Sequence, residues 1–125
     1  MFRVGEVVGF YSDTAGKRKY HLCVSIDDHF IFLNSPKPAS FVGDFEIDCC
    51  DITGLTPTPS GKSIASCNTV IKMTTAELLS YNATVVGVVA NCILKDLLIF
   101  VESLTTIEEE TKNAIIDGLG DHVGT

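Results

Sequence analysis

The hydrophobic pattern of this chain changes period once, near residue 73, and that change limits the folds open to it. Before it, apolar residues alternate in short runs separated by polar, Gly- and Pro-containing turns; after it, they recur at helical spacing. Residues 6–10 read as a first strand and 11–16 as a loop. Residues 17–25 and 30–35 read as a hairpin turning at Asp27-Asp28. Pro36 and Pro38 lack a ladder donor and cannot continue a central strand. Phe45, Ile47 and Cys49 alternate with Glu46 and Asp48 in a fourth strand. After the turn at residues 56–61 comes a long fifth strand over 62–73. Short strands at this spacing suggest a small barrel.

Beyond the change, Thr74-Thr75-Ala76-Glu77 is a capping box that predicts a helix over 75–80. Val85-Val86-Gly87-Val88-Val89 is a short strand or turn. Ala90, Ile93, Leu94, Leu97, Leu98, Val101 and Leu104 form the apolar stripe of a longer helix. Thr106 and Glu109 read as a second capping box, opening a last helix that ends at Gly118 or Gly120. Glu108, Glu109 and Glu110 suit the positive end of its dipole. His122 falls in an expected flexible tail, 120–125. The expectation is one β-rich α+β domain over 1–125. Residues 1–73 form a small SH3-like or CcdB-like barrel of about five to six strands; a short helix follows the fifth, and two C-terminal helices complete a helical part over 74–119.

With 125 residues and 46% apolar content, the chain can bury roughly two-thirds of its unfolded surface, so a real core is expected. Residues 1–6 carry charge where a leader needs an apolar run. The most apolar stretch, 83–104, is interrupted by Asn91, Lys95 and Asp96, so no membrane span is expected. A soluble cytoplasmic protein follows from these readings. Five cysteines, an odd number without a CxxC pair, read as reduced thiols. His21 with Cys23, or Cys49 with Cys50, lacks zinc-site spacing, and neither metal nor cofactor is expected. Cys23 or Cys67 paired with His29 would make a thiol nucleophile, but cysteines within apolar strands read as inert. Ser60-Gly61-Lys62-Ser63 has Thr56 where a phosphate loop needs glycine, and a strand follows it instead of a helix.

The net charge of −7 is unevenly placed. Basic and acidic residues nearly balance up to residue 72, whereas beyond it Lys95 and Lys112 stand against eight carboxylates, from Glu77 to Asp121. The first part can therefore present a local basic patch. Lys17, Arg18 and Lys19 enter the hairpin, and Asn34 and Ser35 leave it. Cations beside a hydroxyl suit a phosphodiester, whose charge grows in the transition state.

The order of these pieces, from about residue 5 to 104, resembles the MazF/PemK family of toxin endoribonucleases. Lys19-Tyr20-His21-Leu22-Cys23-Val24-Ser25 stands where the family has a pattern like Arg-Pro-x-x-Val-x-Ser. Phe32-Leu33-Asn34-Ser35 stands where a strand ends in Thr-Ser or a similar pair. Residues 63–74, followed by Glu77-Leu78-Leu79, match the long strand before a short helix. Lys19, or Arg18 beside it, takes the position of the family's arginine, and Asn34 that of its threonine. Asn68-Thr69 replaces an Asp-Gln pair, and Ile71, with Lys72 next to it, replaces an arginine. The resemblance implies metal-independent cleavage of single-stranded RNA through the 2′-hydroxyl, with Lys19, Arg18, Ser35 and Asn34 in the site. It implies an RNA groove for which Lys17, Lys37, Lys62 and Asn68 are the lining candidates and Phe41 and Tyr20 the aromatics for base stacking. It also implies a homodimer and a small antitoxin partner. Two other readings compete: a non-catalytic SH3-like barrel binding a protein or peptide, and an enzyme using Cys67 or Cys23.

Overall fold

The computed structural model describes residues 2–12, 16–25, 28–36 and 42–124. Among them are seven strands: β1 (Glu6–Ser12), β2 (Lys17–Ser25), β3 (His29–Asn34), β4 (Asp44–Asp48), β5 (Ile52–Thr53), β6 (Lys62–Lys72) and β7 (Thr84–Val89). Three helices accompany them: α1 (Thr75–Ser80), α2 (Asn91–Ser103) and α3 (Glu109–Val123). The strands form one antiparallel sheet in the order β4-β6-β3-β2-β1-β7-β5. A single 3-10 turn, Cys49–Asp51, joins the two edge strands β4 and β5. The sheet must therefore curl until its edges nearly meet, giving a nearly closed barrel. The expected β-rich α+β barrel is observed, with seven strands in place of five to six. The additional strand, β5, is two residues long and carries no readable period. The ambiguous valine run is a strand, β7.

Register explains how β6 serves two neighbours. Its start pairs with β4 and with the end of β3, as in Ile64 opposite Asn34. Its end pairs with the start of β3, as in Val70 opposite Ile31. Between them the register slips, so Cys67, Asn68 and Thr69 leave the β3 ladder, a bulge that bends the strand.

The sheet is covered on both faces. On the inner face, Val7, Leu22, Val24, Ile31, Leu33 and Ala65 share one buried cluster with Leu94, Leu97 and Val101 of α2 and Ile115 and Leu119 of α3. On the outer face, Val8, Phe10, Cys23 and Phe30 pack with Leu78 of α1 and Ala83. Each fully buried Leu or Val contributes about 1.5–3 kcal/mol, so this packing dominates over helix propensity. Among the described residues no helix is long and apolar enough to cross a membrane.

The first capping box is present: the Thr74 hydroxyl accepts from the Glu77 N–H at 3.2 Å, and Glu77 Oε1 accepts from the Thr74 N–H at 3.1 Å. The second is not. The N-cap of α3 is Glu108, without a side-chain cap, and the Thr106 hydroxyl instead donates to Asn68 Oδ1 on β6. Nor does α3 stop at Gly118 or Gly120; it runs to Val123, so most of the expected tail is helical. Gly118 is a contact residue. A Cβ there would lie 2.4 Å from the Val24 carbonyl oxygen and 2.7 Å from Ser25 Cα, so only glycine lets α3 approach β2 this closely.

Two substitutions in the same helix should therefore act in opposite directions. Gly118→Ala should destabilise by about 1–3 kcal/mol despite alanine's better propensity. Gly120 has nothing within 4 Å of an added Cβ, and Gly120→Ala should stabilise by about 0.5–1 kcal/mol. Urea melts of the two variants test the sign of each.

Candidate functional site

β2 divides along its length. Its end, His21 to Ser25, is buried without a break, while Lys17 and Arg18 are exposed and Lys19 and Tyr20 half-buried. The buried half anchors the charged half at the barrel rim. Tyr20 pairs with Leu33 across β2 and β3; continuing that register one and two steps past the ladder sets Lys19 opposite Asn34 and Arg18 opposite Ser35. The residues expected to act together thus meet. Lys17, Arg18, Lys19, Asn34 and Ser35 line one cleft of about 230 Å³, with Leu55, Thr58 and Ser63 as its far wall.

Strand alternation sends Arg18 and Lys19 to opposite faces of β2. The Arg18 guanidinium crosses β1, where Nη2 donates to the Gly9 carbonyl at 3.3 Å and to Thr84 Oγ1 at 3.1 Å. Gly9 makes this path possible: a Cβ there would lie 3.1 Å from the Arg18 nitrogens. A guanidinium has five N–H donors, so this anchoring leaves several for a ligand. Among the described residues no carboxylate pairs with Lys17, Arg18 or Lys19.

A second groove, about 290 Å³, shares Asn34 and Ser35 with the first and continues over Asp44, Ser66, Asn68 and Thr69. Asn34 Nδ2 donates to Ser66 Oγ at 3.1 Å, which fixes the amide at the junction. Asn68 reaches the groove because of the β6 bulge, and its amide is engaged on both sides, donating to the Val42 carbonyl and accepting from Thr106. Lys62 lines neither groove. It pairs with Asp48 and lies 3.8 Å from Glu46, so its charge is locally balanced. Lys37 and Phe41 lie outside the described residues. Asp44 and Ser66 were not singled out in the sequence; only the register between β4 and β6, where they are paired, brings them to the groove.

The titratable groups nearby are closed to chemistry. His21 is 2% exposed, its ring stacked on Phe10 at 4.7 Å and 3° and tilted against Phe32 at 4.7 Å. Burial pushes its pKa down to about 4, against an opposing hydrogen bond with the Val8 backbone and with a smaller lowering from the Lys19 charge. Burial pushes the Cys23 thiol up to about 11 and the Cys67 thiol up to about 12. Both stay protonated near neutrality, which removes the nucleophile from the cysteine-enzyme reading. Cys49, in the closing turn, is the exception. Burial raises its pKa, but hydrogen bonds with Ser63, at 3.5 Å, and Thr58, at 3.7 Å, outweigh this and lower it overall. His29 is half-buried at the start of β3, opposite Lys72. His122 sits in α3, with Nε2 3.2 Å from Asn91 Oδ1. Asp48, Cys50 and Asp51 bring ligand atoms within 4.8 Å of one another at the closing turn, where Asp48 already holds Lys62.

The aromatic side chains differ from expectation. Tyr20 is partly buried against the inner core. The exposed aromatics among the described residues are Tyr11, 55% exposed and paired with Arg18 across β1 and β2, and Tyr81, 50% exposed at the end of α1. No family model matches the chain, and no curated protein is significantly similar to it.

His21 makes acid stability a direct readout of this packing. The unfolded chain takes up the proton near pH 6.5 and the folded one only near pH 4. Stability should therefore fall as pH drops from about 6.5 to about 4, by on the order of 3 kcal/mol from this group. His21→Phe, which keeps an aromatic between Phe10 and Phe32, should remove that part of the slope. Urea melts across the pH range compare the two; parallel profiles would contradict the assignment.

Proposed function

We propose that this chain is a metal-independent endoribonuclease of the PemK/MazF kind, cleaving single-stranded RNA at the rim cleft. The observation that carries the reading is the convergence of Lys17, Arg18 and Lys19, with no carboxylate partner among the described residues, on the Asn34-Ser35 end of β3. Three cations and a hydroxyl in one cleft match a phosphodiester in charge and in hydrogen bonding.

In this reading the Arg18 guanidinium leaves Gly9 and Thr84 when RNA binds and turns toward Ser35, whose backbone lies opposite it in the continued register, so that the two hold the scissile phosphate. The guanidinium fork suits the two non-bridging oxygens better than an ammonium would, and Ser35 donates a third hydrogen bond. Lys19 and Asn34, one step along, hold the flanking nucleotide. The 2′-oxygen attacks phosphorus in line, and the bond to the 5′-oxygen breaks. The 2′ proton passes through solvent to that leaving oxygen, so the products are a 2′,3′-cyclic phosphate and a 5′-hydroxyl. The protein's contribution is orientation and stabilisation of charge on the pentacoordinate phosphorus. The reading brings with it a homodimer, for which Val85 and Val88, exposed on β7, are available apolar side chains, and an antitoxin laid over the grooves.

The test is cleavage of a mixed-sequence RNA in EDTA by protein freed of any co-purifying partner. Arg18→Ala and Ser35→Ala should each lower kcat by about 100-fold or more. Lys19→Ala should act mainly on KM. No cleavage by folded wild-type protein would favour the non-catalytic, partner-binding barrel instead.

A further inference from the structure

We propose that Tyr81 is a stacking platform for one unpaired nucleobase of a single-stranded RNA whose backbone lies against Lys19 and Asn34; this rests on the phosphodiester reading of the rim cleft. Half of the Tyr81 side chain is exposed, yet its position is fixed. One ring face lies on Phe10, with centroids 5.4 Å apart and planes 19° off parallel. Phe10 in turn lies on His21, and His21 against Phe32, so Tyr81 is the open end of an aromatic ladder running across β1, β2 and β3. The backbone is held as well: the Tyr81 N–H bonds to the Leu78 carbonyl at 3.1 Å, and Asn82 turns the chain with φ 58°. An aromatic ring with one face anchored and the other open is what base stacking requires, because little side-chain freedom is lost on binding.

Charge sets the occupant. Phe10, directly under Tyr81, is paired with Lys19 across β1 and β2. By alternation Phe10 and Lys19 share the outer face, and Asn34 follows on β3. Adjacent strands lie roughly 4.8 Å apart, so Phe10, the lysine and the amide fall within about 10 Å across the sheet, and the platform lies one ring further, 5.4 Å from Phe10, a span of about two to three nucleotides of one strand. Among the described residues no carboxylate neutralises Lys17 or Lys19. A polyanion with flat apolar bases complements this surface.

The chain contains no tryptophan, so Tyr81→Trp introduces a single indole reporter at the platform. The probes are a mixed-sequence 2′-O-methyl oligoribonucleotide, which cannot attack its own phosphates, and an abasic oligomer with the same number of phosphates. The base-bearing oligomer should quench the indole and the abasic one should not. Tyr81→Ala should weaken binding of the base-bearing oligomer by at least about five-fold and leave abasic binding unchanged. Tyr81→Phe should bind like wild type, and Lys19→Ala should weaken both oligomers. If both oligomers bind wild-type protein but Tyr81→Ala binds them equally well, or both quench alike, the platform is overturned and the phosphodiester reading stands. If neither oligomer binds, both readings fall. A dimer that dissociates in Tyr81→Ala while oligomer binding is unchanged would assign the ring to a second copy and also overturn the proposal.

Discussion

Everything in this molecule depends on one strand being buried on both faces. From His21 to Ser25 no side chain of β2 reaches solvent, which is unusual in a small antiparallel sheet, where one face is commonly wet. The inner face is closed by α2 and α3 and the outer by α1 and Phe10. Gly118 sets the inner contact by letting α3 rest on the β2 backbone, and Leu78 sets the outer one. The rest of the same strand, Lys17 to Lys19, continues past the half-buried Tyr20 toward the rim as a stiff extension carrying three positive charges. A charged loop of the same composition would lose entropy on ligand binding; a charged strand end anchored in a core loses much less.

The two covers also divide the electrostatics. A histidine inside the outer cover is held neutral by burial, so it packs as an aromatic and adds no charge beside Lys19. Lys62 is balanced by Asp48 and Glu46 and lines neither groove. Most acidic residues beyond residue 72 lie on the helices. A strongly acidic chain thus keeps a cationic rim, because topology separates charges that composition sums.

Much of the fold was legible because it is local. Alternation at Phe45 and Ile47, the Thr74–Glu77 box and the stripe from Leu94 to Val101 each state one element, and each formed, although the fourth strand ends at Asp48 and Cys49 opens the 3-10 turn instead. What was not legible depends on contacts between distant segments. Gly118 reads as a helix stop unless β2 is known to lie against it. Thr106 reads as a cap unless Asn68 is known to face it. β5 exists only because the turn at Cys49–Asp51 brings two residues beside β7. For the candidate site, the hairpin alone names Lys17–Lys19 and Asn34-Ser35. Asp44 and Ser66 arrive by cross-strand register, and Tyr81 by the docking of α1 on Phe10, neither of which has a signature along the chain.

The central claim, that the start of β2 contacts RNA phosphates, is tested most directly by salt. Binding of a non-cleavable single-stranded oligomer should be measured from low to moderate salt for the wild type and for a variant with Lys17, Arg18 and Lys19 all changed to Gln. Each phosphate contact contributes about 0.7 to the slope of log affinity against log salt, so the variant's slope should be shallower by about 2. Parallel lines for the two proteins would place the RNA, or any other polyanion, elsewhere on the molecule and contradict the account.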